Sequence, residues 1–299
     1  MSLNVTEAQV AEAAAQTRNP GLAQVKAIVA FASAKGGTGK STMVSNLAAA
    51  LALKGRKVGV ADADFEAPSV APMLGLARVR LISMGGAVEP ANGPLGIRIV
   101  ANDPAADEPL ASFAVDDSHL EAGEGSSSNG TPEFISPEDL ISRARFGALD
   151  LLLIDLPPGF NHAIRLCQAV DRAGVVIVVP ASATACAAVR RSLEQARRKG
   201  VRVIGLIENM QGFYCGNCHS VRPLLPRSDV GALARDFDLP ILGRLPFDSR
   251  LAESCDIGRP FVREYPDAPV SKLINETAQA LLAAASASRP RVNDLAPSS

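Results

Sequence analysis

No run of this 299-residue chain approaches the ~18 consecutive apolar residues that a membrane span needs, so no transmembrane protein is expected. The N-terminal stretch carries no basic residue before Arg18 and no apolar core of leader type, which argues against export and for the cytoplasm. Neither sign of charge dominates: 30 Lys and Arg against 31 Asp and Glu leave a formal net charge of −1. That is too little cationic character to expect a nucleic acid or a stable membrane association. Five scattered cysteines cannot make a disulfide framework. Cys167, Cys186 and Cys255 fall in apolar or helix-like stretches and read as small packing residues, so Cys215 and Cys218 stand as the close pair. No internal repeat is visible.

What is present suffices for a large core, with 47% hydrophobic and 20% charged residues. From Lys26 onward, short continuous apolar runs alternate with helical patterns. Strands are predicted at 27–32, 58–61, 97–101, 151–154, 175–179, 201–207 and 241–245, and helices near 42–54, 137–146, 161–171, 183–199, 228–237 and 271–285. Apolar runs without alternation mean strands covered on both faces, so the fold class is α/β, a doubly wound, mainly parallel sheet with helices on both sides. Ser136-Pro137-Glu138-Asp139 reads as a helix N-cap with an N1 proline, and Gly55 and Gly200 stand where helices end. The expected organisation is an N-terminal helical appendage (1–25), one large α/β domain (26–287) and a frayed tail (288–299). The domain would carry a flexible acidic insertion at about 102–136 and a cysteine loop at about 209–227.

The segment Ala34-Lys35-Gly36-Gly37-Thr38-Gly39-Lys40-Ser41-Thr42 sits between the first strand and a helix. Its glycines let backbone N–H groups turn inward, the helix adds the positive end of its dipole, and Lys40 supplies a charge for the outer phosphates. Ser41 would hold a magnesium ion. Ala34 stands where the common pattern has glycine, and the additional Lys35 marks the deviant form of the loop, whose extra lysine reaches a partner's nucleotide across a dimer interface. Two further segments supply acids at strand ends: Asp62-Ala63-Asp64 and Asp155-Leu156-Pro157-Pro158-Gly159. Asp155 would hold a magnesium-bound water, Asp62 would support the metal from behind, and Asp64 would orient the attacking water. Gly159 would offer its N–H to the terminal phosphate, while Lys35 and Lys40 neutralise departing charge.

Cys215-Gly216-Asn217-Cys218-His219 offers two thiolates to a soft metal centre. A complete zinc or iron–sulfur site normally takes four protein ligands. A homodimer would bring two pairs together, the same stoichiometry that Lys35 asks for. The pair is also compatible with a zinc-bridged dimer, with a haem-attachment pattern, or with a thioredoxin-like redox pair, which would have to open a helix. His162 and His219 read as surface or packing histidines.

Taken together, residues 27–270 resemble the Mrp-type (ApbC) iron–sulfur cluster carrier ATPases, within the group that includes MinD, ParA and the nitrogenase iron protein. The resemblance rests on Lys35-Gly-Gly-Thr-Gly-Lys40-Ser, Asp62-Ala-Asp-Phe-Glu-Ala-Pro-Ser69, Asp155-Leu-Pro-Pro-Gly159, Glu208-Asn-Met210 with Cys215-x-x-Cys218, and Leu242-Gly-Arg-Leu-Pro246-Phe-Asp248. It implies slow ATP hydrolysis with Mg2+, Asn209 and Pro246 to Asp248 against adenine, and a [4Fe–4S] cluster bridging Cys215 and Cys218 of two subunits. It also implies apoprotein recipients. The chain departs from the pattern where Phe160-Asn161-His162 replaces Thr-Gly-Asp, where Ala67 replaces glycine, and where the acidic insertion replaces an Arg-Gly-Pro stretch. A MinD/ParA-like positioning ATPase with structural zinc and a metal-insertion chaperone are the alternatives, although the helix near 271–285 is poor in the basic residues that membrane cycling would use.

Overall fold

The computed structural model describes residues 19–76, 82–84, 87–101, 136–170, 172–224 and 229–287. The helix expected at 5–17, nearly all of the acidic insertion and the tail lie outside them.

A nine-stranded sheet forms the centre, in the order β10-β9-β8-β1-β7-β2-β6-β5 with β11 also paired to β9. The strands are β1 (Val25–Ala32), β2 (Val58–Asp62), β5 (Ala91–Asn92), β6 (Arg98–Ala101), β7 (Leu149–Asp155), β8 (Ala173–Pro180), β9 (Val203–Tyr214), β10 (Val221–Arg222) and β11 (Ile241–Phe247); β3 (Ile82–Met84) and β4 (Ala87–Glu89) pair antiparallel in a separate two-stranded sheet. Every pairing among β11, β9, β8, β1, β7, β2 and β6 is parallel, and only the short β5 and β10 run antiparallel. The central strands are buried along nearly their whole length, as expected for strands covered on both faces.

Two hydrophobic cores lie on opposite faces. One joins α1 (Lys40–Leu53) and α9 (Pro269–Ser286) to the sheet through Leu47, Leu51, Phe261, Ile274 and Leu281. The other is built from Leu140, Phe146, Ile164, Leu193 and Leu233, carried partly by α3 (Pro137–Arg143), α4 (Asn161–Ala169), α5 (Ala183–Lys199) and α6 (Val230–Asp236). Among the described residues the remaining α-helices are the short α2 (Val70–Met73), α7 (Ser249–Asp256) and α8 (Phe261–Glu264). The sheet is therefore doubly wound, and β1, β2 and β7 end side by side at its carboxyl edge, where such folds place ligands.

Helix bounds follow local chemistry. Ser136 Oγ accepts from Asp139 N and Ser182 Oγ from Ala185 N, and Gly200 closes α5 in the left-handed conformation at φ 66°. One expectation changes substantially: β9 runs to Tyr214, so residues 209–214 are strand and the cysteine turn begins at Cys215. Pairing with β11 on one side and β10 at its end holds this segment extended, although Asn209 is a poor strand former and Met210 takes φ 55°.

Candidate functional site

The phosphate loop links β1 to α1. Gly37 and Gly39 adopt φ 74° and 80°, a left-handed backbone that glycine enters without steric cost. Gly39 has a second constraint, because a Cβ there would lie 2.3 Å from Asn209 Nδ2. That amide donates to Thr38 O at 2.8 Å in a buried setting, so β9 clamps the loop directly. Gly36 is roomier, its nearest neighbour being Pro158 Cγ at 3.8 Å from an added Cβ. Lys35 is exposed. Thr42 O accepts from Ser45 Oγ at 3.1 Å and Asn46 Nδ2 at 3.0 Å, tightening the first turn of α1.

Three acids converge at the ends of β2 and β7. Lys40 Nζ lies 2.6 Å from Asp155 Oδ1, and Ser41 Oγ donates to Asp155 Oδ2 at 2.6 Å. Asp62 stands in direct register with Asp155. Its carboxylate accepts from the N–H groups of Asp64 at 3.2 Å, Ser69 at 2.8 Å and Val70 at 2.9 Å, so it folds the 63–70 loop back onto its own strand end. Asp64 is buried and accepts from Ala67 N at 3.3 Å. Burial, then the charge of Asp155, pushes the Asp62 carboxyl up to about 7. Burial also raises Asp155, opposed by Lys40 and Ser41. Asp155 meets the buried Lys40 ammonium, and its carboxylate with the Ser41 hydroxyl offers oxygen donors of the kind a magnesium ion takes. Thr38 Oγ1 is buried with no hydrogen-bond partner, which suits a phosphate oxygen. The Gly159 N–H, expected to face the terminal phosphate, donates instead to Ser33 O at 3.0 Å; it reaches a phosphate only when that bond opens.

The departing segment after Gly159 is tied inward. Phe160 is buried, and Asn161 Oδ1 accepts from Gln195 Nε2 of α5 at 2.9 Å. His162 Nδ1 lies 2.9 Å from Arg165 Nη2, and burial followed by that guanidinium lowers its pKa.

Pro246 to Asp248 run beside β9, with Leu245 opposite Asn209 and Phe247 opposite Phe213. Asp248 is 2% exposed and caps α7 through Arg250 N. Its carboxylate also takes the Arg250 fork, with Nε at 3.0 Å and Nη2 at 2.7 Å. Sequence reasoning missed Arg250, which carries no motif signal.

At the end of β9 the chain turns through the cysteines and returns as β10. Cys215 N donates to Ser220 O at 3.0 Å and His219 N to Cys215 O at 2.9 Å. Gly212 lets the strands close, since a Cβ there would meet Val221 Cγ1 at 2.6 Å. Cys218 is exposed and Cys215 half-buried. Cys218 Sγ lies 2.9 Å from Ser220 Oγ, and the Ser220 hydroxyl and N–H draw its thiol down to about 7, which favours the thiolate that binds metals. The turn leads into a strand, not the helix a thioredoxin-like pair requires. Among the described residues no three His, Cys, Asp or Glu side chains gather closely enough to hold a metal ion. No helix among them is long and apolar enough to cross a membrane.

Comparison with known proteins bears on the same parts. The family profile described as "ParA: NUBPL iron-transfer P-loop NTPase" matches residues 24–111 and 133–282. An iron-sulfur cluster carrier protein of Saccharolobus solfataricus is 34% identical over 83% of this chain and 80% of its own length. The cytosolic Fe-S cluster assembly factor NUBP2 of Bos taurus is 34% identical over 91% of this chain and 97% of its own. A solved ADP complex of a nucleotide-binding protein from Archaeoglobus fulgidus aligns with a TM-score of 0.66 at 29% identity, over 85% of this chain and 94% of that one. With a deviant phosphate loop on a doubly wound sheet and these relatives, the chain belongs to the Mrp/ApbC-type iron–sulfur cluster carrier ATPases of the ParA group of P-loop NTPases.

Proposed function

We propose that this protein is a cytoplasmic, ATP-dependent carrier that holds an iron–sulfur cluster between two copies of itself and hands it to apoproteins. The observation that carries this reading is the pair of half-buried Cys215 and exposed Cys218 at the tip of the strand whose Asn209 clamps the phosphate loop. Two thiols with no third ligand gathered among the described residues suit a cargo shared with a second copy, which supplies the other two sulfurs for a [4Fe–4S] cluster. The carrier and assembly names of the relatives point the same way. A zinc ion bridging the same four sulfurs is the second reading, since the donor set suits either.

On the nucleotide side, Gly36 to Gly39 would wrap the phosphates and Thr38 would satisfy its hydroxyl on one of them. Asn209, Pro246 and Asp248 would border the adenine. Bound magnesium would screen the charge that builds as the terminal phosphoryl leaves. Ser41 and Asp155 would hold it, with Asp62 behind them. Lys40 would turn from Asp155 to the phosphates, Gly159 would follow, Asp64 would orient water, and the partner's Lys35 would complete the cation set. ATP occupancy would thereby set the geometry of the pair.

Anaerobic reconstitution tests the cargo. The expected product has a broad visible charge-transfer absorbance and about four iron per two chains, abolished by Cys215→Ala. An unchanged spectrum in that variant refutes the assignment, and retention of zinc but not iron favours the second reading.

A further inference from the structure

The base edge and the cysteine turn are joined by side chains as well as by backbone. Arg250 holds Asp248 with its fork and backbone N–H. The same guanidinium lies over three rings, 5.0 Å from the Tyr265 centroid and 5.7 Å from those of Tyr214 and Phe261. Tyr214 is 5% exposed, and its hydroxyl lies 2.9 Å from His219 Nδ1. His219 in turn sits inside the thiol turn in the left-handed conformation, φ 54°, with its N–H on Cys215 O. Phe213 and Phe247, stacked with centroids 6.4 Å apart, bind the same two strands beside this path.

Packing alone does not account for this arrangement. A buried tyrosine hydroxyl needs a partner, and here it takes the imidazole of the turn. The non-glycine residue His219 adopts a backbone that ordinarily costs energy and persists where surrounding contacts enforce it. Arg250 divides its charge between one carboxylate and an aromatic cage, each of which attracts it. Any group that competes for the Asp248 carboxylate therefore shifts the guanidinium toward the rings.

We propose that Arg250, Tyr214 and His219 are positioning residues that set the conformation of the Cys215–Cys218 turn according to whether a purine nucleotide occupies the edge at Asp248. This rests on the reading of Asp248 as a nucleotide contact and of the cysteines as cargo ligands. An empty edge leaves Arg250 on Asp248 and the Tyr214–His219 bond intact. An occupied edge moves Arg250, loosens the hydroxyl–imidazole bond and changes how the two sulfurs are presented.

The test uses the full-length apo-protein and needs no cluster. Iodoacetamide labelling rates at Cys215 and Cys218, mapped by mass spectrometry, are compared without nucleotide, with ADP and with a non-hydrolysable ATP analogue. In the unaltered protein nucleotide changes the rates by about threefold or more. Tyr214→Phe keeps the ring beneath Arg250 and removes only the hydroxyl; His219→Asn keeps a residue that tolerates the left-handed backbone. Both are expected to reduce the nucleotide effect to below about 1.5-fold at saturating nucleotide, with occupancy verified by calorimetry. A wild-type response in Tyr214→Phe overturns the proposal, as does the absence of any nucleotide effect in the unaltered protein. Because labelling reads the thiols themselves, failure of iron reconstitution refutes the carrier reading separately.

Discussion

The phosphate loop, clamped by Asn209 of β9, and the cysteine turn at the end of that strand are built in opposite ways. At the loop, Lys40, Asp62, Asp155 and Asn209 are all buried and each is engaged by named partners within the chain. At the turn, residues 216–220 are exposed, and the Cys218 thiol keeps company with Ser220, Cys215 and the charge of Arg222. A site that must exclude water and fix charge has to be preorganised by its own core. On the proposed reading, a site that accepts and releases a cargo stays open in the single subunit. Mutations should thus damage stability and chemistry together at the loop, and only cargo binding at the turn.

The largest expected effect comes from Lys40→Ala. Hydrolysis should fall by about two to three orders of magnitude in a steady-state phosphate-release assay, the scale seen when a preorganised charge is removed from a reaction centre. Activity within a few-fold of normal would place the chemistry elsewhere. Gly39→Ala comes next, because it combines a left-handed backbone with a clash against Asn209. Unfolding in urea should show a loss of about 1–3 kcal/mol, with nucleotide binding weakened in parallel. Stability unchanged by this substitution would mean that Asn209 does not clamp the loop.

At the turn, Cys215→Ala should leave the unfolding free energy in urea within about 0.5 kcal/mol of wild type and preserve nucleotide binding while cluster loading is lost. A large loss of stability would show that the turn is structural and blur the contrast between the two regions. The smallest effect is expected far from both sites, at Asp150. This carboxylate meets Lys26 Nζ at 2.7 Å and Lys57 N at 2.9 Å, and these partners, Lys26 first, hold it below the usual carboxylate range. A lowered folded pKa means that the stabilisation is present above the unfolded value and disappears as pH falls through the folded one. Asp150→Asn should cost about 0.5–1 kcal/mol near neutrality, with the difference from wild type vanishing in acid. A constant difference across that range would deny the charge any part.

What the sequence disclosed follows from how locally each feature is determined. Helix α5 is readable to the residue because Ser182 and Gly200 mark its ends by their own chemistry. Lys40, Ser41 and Asp155 could be grouped because a glycine-rich loop and an acid at a strand end recur in one topology. The length of β9 was not readable, since Asn209 and Gly212 argue against a strand until β10 and β11 pair with it. Helix α7 was overlooked because its cap, Asp248, was already assigned to the base edge. The use of Asp62 as an anchor for three backbone N–H groups, the bond from Gly159 to Ser33 and the cage around Arg250 all depend on tertiary approach, which leaves no periodic or spacing signal.

The account turns on one subunit carrying half of the cargo site. Native mass spectrometry of the anaerobically reconstituted protein measures this directly, because it weighs chains and cluster in the same ion. The predicted species is two chains with a single four-iron cluster, absent from Cys215→Ala. A single chain retaining the intact cluster would contradict the account.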